Sequence, residues 1–350
     1  MQEMRDIFAE PLCCDDPISG GAAECTADRK EVREPRTPEP GSVILTGAEK
    51  EAAQGRIFVP ERFYRPANQQ GTLLRLRYTT RNYASDGRKR EKDAIVYLPF
   101  GYDRAPEAKR FNILYLLHGS GGSEISYMGD AAHPQRLKHM VDHMIEKGLI
   151  EPMIFVMPTY IYQREELGQA RAVALTFYKE FIYDLLPAVE SRFRTYAEDL
   201  TGAGIRKSRG HRAFGGFSLG SVAAWEVFAR AMGAAKYYLT LCGDCWEYEP
   251  FGGREHPERA ADYLSRMAKR SGYGPRDYFI FAASGTEDSA FEMLPPMVAE
   301  LRKHPETFAC SGKDYRNGNL VYYLAEGYKH SYGYTCEYIY NALQLFFRQE

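Results

Sequence analysis

Short apolar runs alternate with helical stretches from about residue 72 to the C-terminus, and no other feature of the chain restricts its fold as strongly. Residues 72–80 (TLLRLRYTT) alternate apolar and polar side chains, as a half-exposed strand does. Residues 93–103 (DAIVYLPFGYD) read as a strand ended by Pro and Gly. Residues 112–119 (NILYLLHG) are nearly all apolar, which suits a strand buried on both faces of a parallel sheet. Similar runs recur at 153–158, 211–217, 237–243, 277–285 and 319–327. Between them, Leu137, Met140, Val141, Met144 and Ile145 share one helical face, and 174–193, 219–232, 257–270, 290–303 and 334–347 also carry helical patterns. The alternation predicts an α/β fold with a mostly parallel central sheet, helices on both faces, and two antiparallel leading strands covering one edge.

The rest of the chain adds bounds. Residues 1–55 are rich in Glu, Pro, Gly and Arg without a period and read as a flexible extension, leaving 56–350 as one folded domain. A net charge of −2 carries no signal for nucleic acid or an anionic membrane, and no apolar run approaches bilayer length. Residues 1–30 lack the apolar core of a signal peptide, so the protein is expected in the cytoplasm as written, or secreted if a leader has been removed. Seven cysteines cannot all pair within the chain. Cys242 and Cys245 form a C-x-x-C, but it follows a strand-like run and has no second pair, so neither a redox nor a zinc role is expected.

Residues 214–225 (FGGFSLGSVAAW) contain Gly216-Phe217-Ser218-Leu219-Gly220, a G-x-S-x-G pattern. Such a pattern is informative only between a strand and a helix, and that is its context here. A serine at this sharp turn stands above the sheet as a nucleophile, and the flanking glycines remove the Cβ atoms that would collide. A nucleophilic serine needs a histidine base and an orienting acid, which in this topology come in the order Ser, acid, His. Three histidines come after Ser218. His256 and His304 lie beside helices, whereas His330 directly follows a strand-like run and precedes the last helix. It is the expected base. Asp288, in a Gly-Thr-Glu-Asp turn after the penultimate strand, is the expected acid, with Asp244 in reserve. Two N–H groups must also hold the developing oxyanion. The Leu219 amide is one; the glycine-rich loop 116–127 (LLHGSGGSEISY) supplies the other, through Ser120. That loop matches neither phosphate-binding pattern, since no lysine comes after it.

With these pieces assembled, the chain resembles the esterase-D-like group of α/β-hydrolases, which includes feruloyl esterases and acetyl xylan esterases of carbohydrate esterase family one. The stretches that carry the likeness are IVYLPFGYD, FNILYLLHGSGG, IEPMIFVMPT, FIYDLLPAVESRFRTYA, HRAFGGFSLGSVAAW, CGDCW, FAASGTED and GYKHSYGY, in family order. The resemblance implies an α/β-hydrolase fold, with Ser218 as nucleophile, Asp288 as acid and His330 as base. It also implies a serine carboxyl-ester hydrolase acting on feruloyl or acetyl esters of plant polysaccharide or oligosaccharide, without metal or cofactor. Many relatives carry glycine where Ser120 stands and tryptophan just after the catalytic histidine, where this chain reads Ser331-Tyr332-Gly333-Tyr334. The group also contains siderophore esterases and acyltransferases, which share the fold and chemistry. A carbohydrate-binding relative without catalysis is the alternative of another class, and the intact triad argues against it.

Other residues complete the expectations. Trp246, Tyr127, Tyr332 and Asp244 are candidate substrate-binding residues, with Tyr160 and Tyr334 also beside motif loops. Trp225 is expected in the core. His139 and His143 share a helical face without an accompanying acidic ligand pattern and are expected at the surface. Residues 87–92 (GRKREK) read as a solvated hairpin turn.

Overall fold

The apolar runs assemble into one eight-stranded sheet ordered β1-β2-β4-β3-β5-β6-β7-β8. The structure is a computed structural model that describes residues 58–160, 167–311 and 318–347. The expected extension over 1–55 lies outside the described residues. The strands are β1 (Thr72–Arg81), β2 (Lys89–Leu98), β3 (Asn112–Leu117), β4 (Met153–Met157), β5 (Arg212–Phe217), β6 (Tyr237–Leu241), β7 (Phe279–Glu287) and β8 (Leu320–Lys329). Strand β2 runs antiparallel to both β1 and β4, and every other pair is parallel. Burial tracks position in the sheet. Every residue of β4, β5 and β6 is buried, while edge strand β1 alternates. This is the α/β-hydrolase arrangement expected from the sequence.

Helices α1 (Arg136–Glu146) and α9 (Tyr332–Leu343) cover one face of the sheet; α2 (Leu167–Glu180), α3 (Leu186–Glu190), α5 (Leu219–Ala231), α7 (Pro257–Arg270) and α8 (Leu294–Leu301) cover the other. Short helices α4 (Gly202–Lys207) and α6 (Gly252–Glu255) fill connections that carry no clear period in the sequence. Among the residues of α5 only Arg230 is not fully buried, so this helix is sandwiched between the sheet and α2 and α7. Trp225 sits inside it, fully buried, as expected. The helical pattern over 174–193 resolves into α2, a π-helical turn (Phe181–Leu185) and α3. Pro187, with no N–H to donate, accounts for the wider turn.

Two surface expectations are corrected. The hairpin turn occupies 82–88, and Lys89–Lys92 already belong to β2. Lys92 is buried with its ammonium 2.8 Å from both oxygens of Glu180, which also accepts a hydrogen bond from the Tyr78 hydroxyl at 2.6 Å. The basic run masked one lysine whose side chain turns inward to a fully paired carboxylate. His139 and His143 are likewise not at the surface. Residues 58–65 lie over α1, the His143 ring stacks on Phe63 at 4.8 Å, and His139 is buried.

Candidate active site

The turn from β5 into α5 places Ser218 at φ 56° and ψ −119°, a conformation strained for a residue bearing a Cβ. The neighbouring glycines make it possible. A Cβ at Gly216 would run into the backbone of Gly220, and one at Gly220 would strike the Leu117 carbonyl oxygen of β3. The Ser218 N–H donates to Leu241 O of β6 at 2.8 Å, so the elbow stays locked to the sheet. The hydroxyl is half-buried at the N-terminus of α5, where the helix dipole and the first N–H groups face it. Among the described residues, no backbone acceptor is found for Leu219 N–H.

His330 comes directly after the last residue of β8, and Asp288 after the last residue of β7. A bulge near Gly285 and Glu287 shifts the β7–β8 register where these two chains rise above the sheet. The Asp288 side chain is fully buried, while that of His330 is about one third exposed, at 32 %. His330 Nδ1 lies 2.7 Å from Asp288 Oδ1, and its Nε2 lies 2.9 Å from Ser218 Oγ. With Nδ1 facing a carboxylate, that nitrogen carries the ring proton and Nε2 is left to accept from the serine hydroxyl. The Ala290 N–H also donates to Asp288 Oδ1, at 2.7 Å. Ser218, His330 and Asp288 are thus brought into one hydrogen-bonded line from three separate strand ends.

Asp244 is used elsewhere. Its Oδ1 accepts from Trp246 Nε1 at 2.8 Å and its Oδ2 from Gly253 N–H at 2.6 Å, pinning the segment after β6 to α6. Burial pushes its pKa up to about 6. Trp246 is buried, packs edge-on against Phe251 at 5.0 Å, and has its backbone carbonyl held by the Arg171 guanidinium. Both residues therefore brace a loop, and their side chains are satisfied within the protein.

The loop after β3 runs beside the nucleophile: a Cβ at Gly119 would lie 3.0 Å from Ser218 Cβ. Ser120 is exposed on this loop, with Gly121 next to it at φ 71°. The Gly119 N–H donates to the Tyr332 hydroxyl at 2.7 Å, which ties the loop to the start of α9. Tyr332 also packs against Phe217 at 4.9 Å and edge-on against Tyr127 at 5.3 Å. Tyr127 is buried and donates to Leu117 O at 3.2 Å. A cavity of about 410 Å³ opens on the outer side of this aromatic pair, between α1 and α9. A cavity of about 740 Å³, lined by Asn112, Met153, His211 and Tyr237 among others, lies at the opposite end of the strands, away from Ser218.

Two residues join the site that the sequence does not place there. His118 is buried, with Nδ1 2.8 Å from Gly119 O and Nε2 2.7 Å from Thr159 Oγ1; the Tyr160 hydroxyl donates to its carbonyl at 2.6 Å. Burial lowers its pKa to about 4, so it is neutral near pH 7 and clamps the base of the loop. A polar residue closing the apolar run NILYLL was the available signal. The second is Cys242, at φ 55° directly after β6. Its sulfur and ligand atoms of Asp288 and His330 all lie within 4.8 Å of one another. Cys242 and Cys245 are both free and buried.

No family model matches the chain. It is 34% identical to a mutant of the feruloyl esterase module from Clostridium thermocellum, solved in complex with sinapinate; the match covers 84% of this chain and 94% of that one, with a TM-score of 0.72. It is also 34% identical over 290 residues to endo-1,4-beta-xylanase Y of Acetivibrio thermocellus, covering 83% of this chain. A third match, 29% identical over 164 residues, is to an endo-1,4-beta-xylanase/feruloyl esterase of Xylanibacter ruminicola. The chain spans 24% and 20% of the lengths of these two curated relatives.

Proposed function

The chain belongs to the feruloyl esterase family of α/β-hydrolases, and from that premise we propose that it is a serine carboxyl-ester hydrolase releasing feruloyl or acetyl groups from plant polysaccharide or oligosaccharide esters. The observation that carries the reading is the continuous line from Ser218 Oγ through His330 to the buried Asp288. His330 Nε2 takes the serine proton as Oγ bonds to the ester carbonyl carbon. The Leu219 and Ser120 amides hold the resulting oxyanion, and Asp288 stabilises the imidazolium. Collapse breaks the carbon–oxygen bond to the alcohol, which leaves with the proton from His330. Water, deprotonated by the same nitrogen, then attacks the acyl-serine; the acid departs and Ser218 regains its proton. No step in this reaction requires a metal or an organic cofactor. Among the described residues no helix is long and apolar enough to cross a membrane.

The part-exposed ring of Tyr332, packed on Phe217 beside His330 and tied to the loop after β3, supports a flat acyl group. The test is a panel of methyl ferulate, methyl sinapate, p-nitrophenyl acetate and feruloylated and acetylated xylo-oligosaccharides, run beside Ser218→Ala. Hydrolysis of the feruloyl esters at a kcat/KM at least about tenfold above that for p-nitrophenyl acetate, roughly 1.4 kcal/mol of barrier, is expected. Activity on none of these esters overturns the proposal; activity on acetyl esters alone overturns its feruloyl part.

A further inference from the structure

The acid of the Ser218–His330–Asp288 line is only half accounted for. Asp288 Oδ1 accepts two hydrogen bonds, from His330 and from Ala290 N–H. Its Oδ2, inside a side chain with no exposure, has no conventional hydrogen-bond partner among the described residues. The same holds for the buried hydroxyl of Tyr338 on α9. A bare carboxylate oxygen and a bare hydroxyl in one dry region each carry a substantial desolvation cost, so a partner between them is required. Cys242 occupies that region. Its sulfur is within 4.8 Å of the Asp288 carboxylate, the residue is buried, and its left-handed backbone aims it there under constraint: the Cys242 N–H is spent on Ala283 O at 2.8 Å.

We propose that the Cys242 thiol is a positioning residue that donates its S–H to Asp288 Oδ2, backed by the Tyr338 hydroxyl, and so holds the acid in line with His330. The inference rests on the catalytic reading of Ser218, His330 and Asp288. Burial, together with the neighbouring Asp288, pushes the thiol well above its usual range, so it keeps its proton at working pH and remains a donor. The ionisable groups facing Cys242 are Asp288 from the end of β7, His330 from the end of β8, Tyr338 from α9 and Tyr127 from the loop after β3; those facing His330 are Asp288 and the thiol itself, with the Ser218 hydroxyl on its other nitrogen. Apart from the His330 imidazole itself, none of these groups becomes a cation. With its second oxygen bonded to sulfur, Asp288 is fixed in orientation and shares its charge between thiol and imidazole. Without that bond more of the charge falls on His330, which then holds a proton to higher pH.

Cys242→Ala and Cys242→Ser separate this role from simple packing. The alanine variant is expected to lose about tenfold in kcat and to move the acid limb of kcat/KM upward by about half a pH unit. The serine variant, whose hydroxyl can donate the same bond, is expected to keep the wild-type limb even if it loses thermal stability. Tyr338→Phe keeps the ring and should move the limb in the same direction by less. Should the alanine variant fail to fold, the comparison of Cys242→Ser and Tyr338→Phe with wild type carries the test. An alanine variant with the wild-type limb, or alanine and serine variants with identical limbs, overturns the proposal. Titration of the His330 imidazole by proton NMR reads the same shift without any substrate. An enzyme inactive on every ester therefore defeats the hydrolase reading, while an unshifted imidazole in Cys242→Ala defeats the thiol's role.

Discussion

Strands β5 and β6 lie side by side and end in the same backbone device put to opposite uses. Each leads into a non-glycine residue at positive φ, Ser218 at 56° and Cys242 at 55°. At the end of β5 the strain lifts a hydroxyl out of the sheet to a half-buried position at a helix N-terminus. At the end of β6 it turns a thiol inward among buried groups behind the acid. The difference arises from the next element along the chain: α5 begins at once after Ser218, whereas Cys242 leads into a loop that Asp244 and Trp246 pin to α6. One turn presents a part-exposed hydroxyl, and its neighbour buries a thiol within 4.8 Å of the Asp288 carboxylate. Left-handed strain alone therefore does not mark a nucleophile; the accompanying helix and exposure do.

The largest expected effects test the exposed side of that pair. Ser218→Ala and His330→Ala should each lower kcat/KM by on the order of 10⁴-fold or more with the fold intact, because the triad acts as a unit. Retention of a tenth of the wild-type rate by either variant would remove the distinction between the two turns. Asp288→Asn should cost roughly 10³–10⁴-fold, by presenting the wrong partner to His330 Nδ1. Asp244→Asn should cost less than about tenfold, since both its oxygens bond within the loop after β6. A reversed order in steady-state kinetics would move the acid to the β6 side.

Stability sharpens the comparison next. An added methyl at Gly220 meets Leu117 O, and one at Gly243 would sit 2.5 Å from Ser218 O, so both press on the same elbow. Gly220→Ala and Gly243→Ala should each lose about 2–3 kcal/mol in urea unfolding. Loss in only one would show that the two strand ends are not mechanically joined.

The smallest effect is a pH dependence. His118 has its pKa lowered from 6.5 to about 4 by burial, so protonation favours the unfolded chain between those values. Its contribution to stability is complete above about pH 6.5 and is lost as pH falls towards 4, about 2 kcal/mol of it by pH 5. The stability difference between wild type and His118→Gln, measured by denaturation at pH 7 and pH 5, should shrink by that amount. A difference independent of pH would mean that His118 takes up its proton equally readily in the folded and unfolded chain.

Much of this was legible in the linear chain. All eight strands were visible: the six parallel ones write apolar runs because both faces of the sheet are buried there, and edge strand β1 shows the alternation of a half-exposed strand. Ser218, Asp288 and His330 could be nominated because each must come after a strand, and chain order leaves few residues of the right type. Less legible were residues whose role depends on distant partners: Lys92 in a basic run that reads as surface, His139 and His143 beneath residues 58–65, and His118 between Gly119 and Thr159.

What the sequence determined by itself is therefore the layered α/β architecture and the set of reactive side chains, since both arise from local periodicity and from residue types at strand ends. Tertiary structure closed the choice between Asp288, which the sequence preferred, and Asp244, its reserve, as the partner of His330. Both aspartates come after buried strands, and the Gly-Thr-Glu-Asp turn favours Asp288 without excluding Asp244. The β7–β8 register shift and the Gly253 N–H, 9 residues from Asp244, send one carboxylate to the imidazole and lock the other into its own loop. The same holds for Cys242 and Cys245, which the sequence offers as a pair. The fold separates them: Cys242, at φ 55° directly after β6, lies beside Asp288 and Tyr338, whereas the Cys245 N–H points to Met297 Sδ of α8 at 3.4 Å.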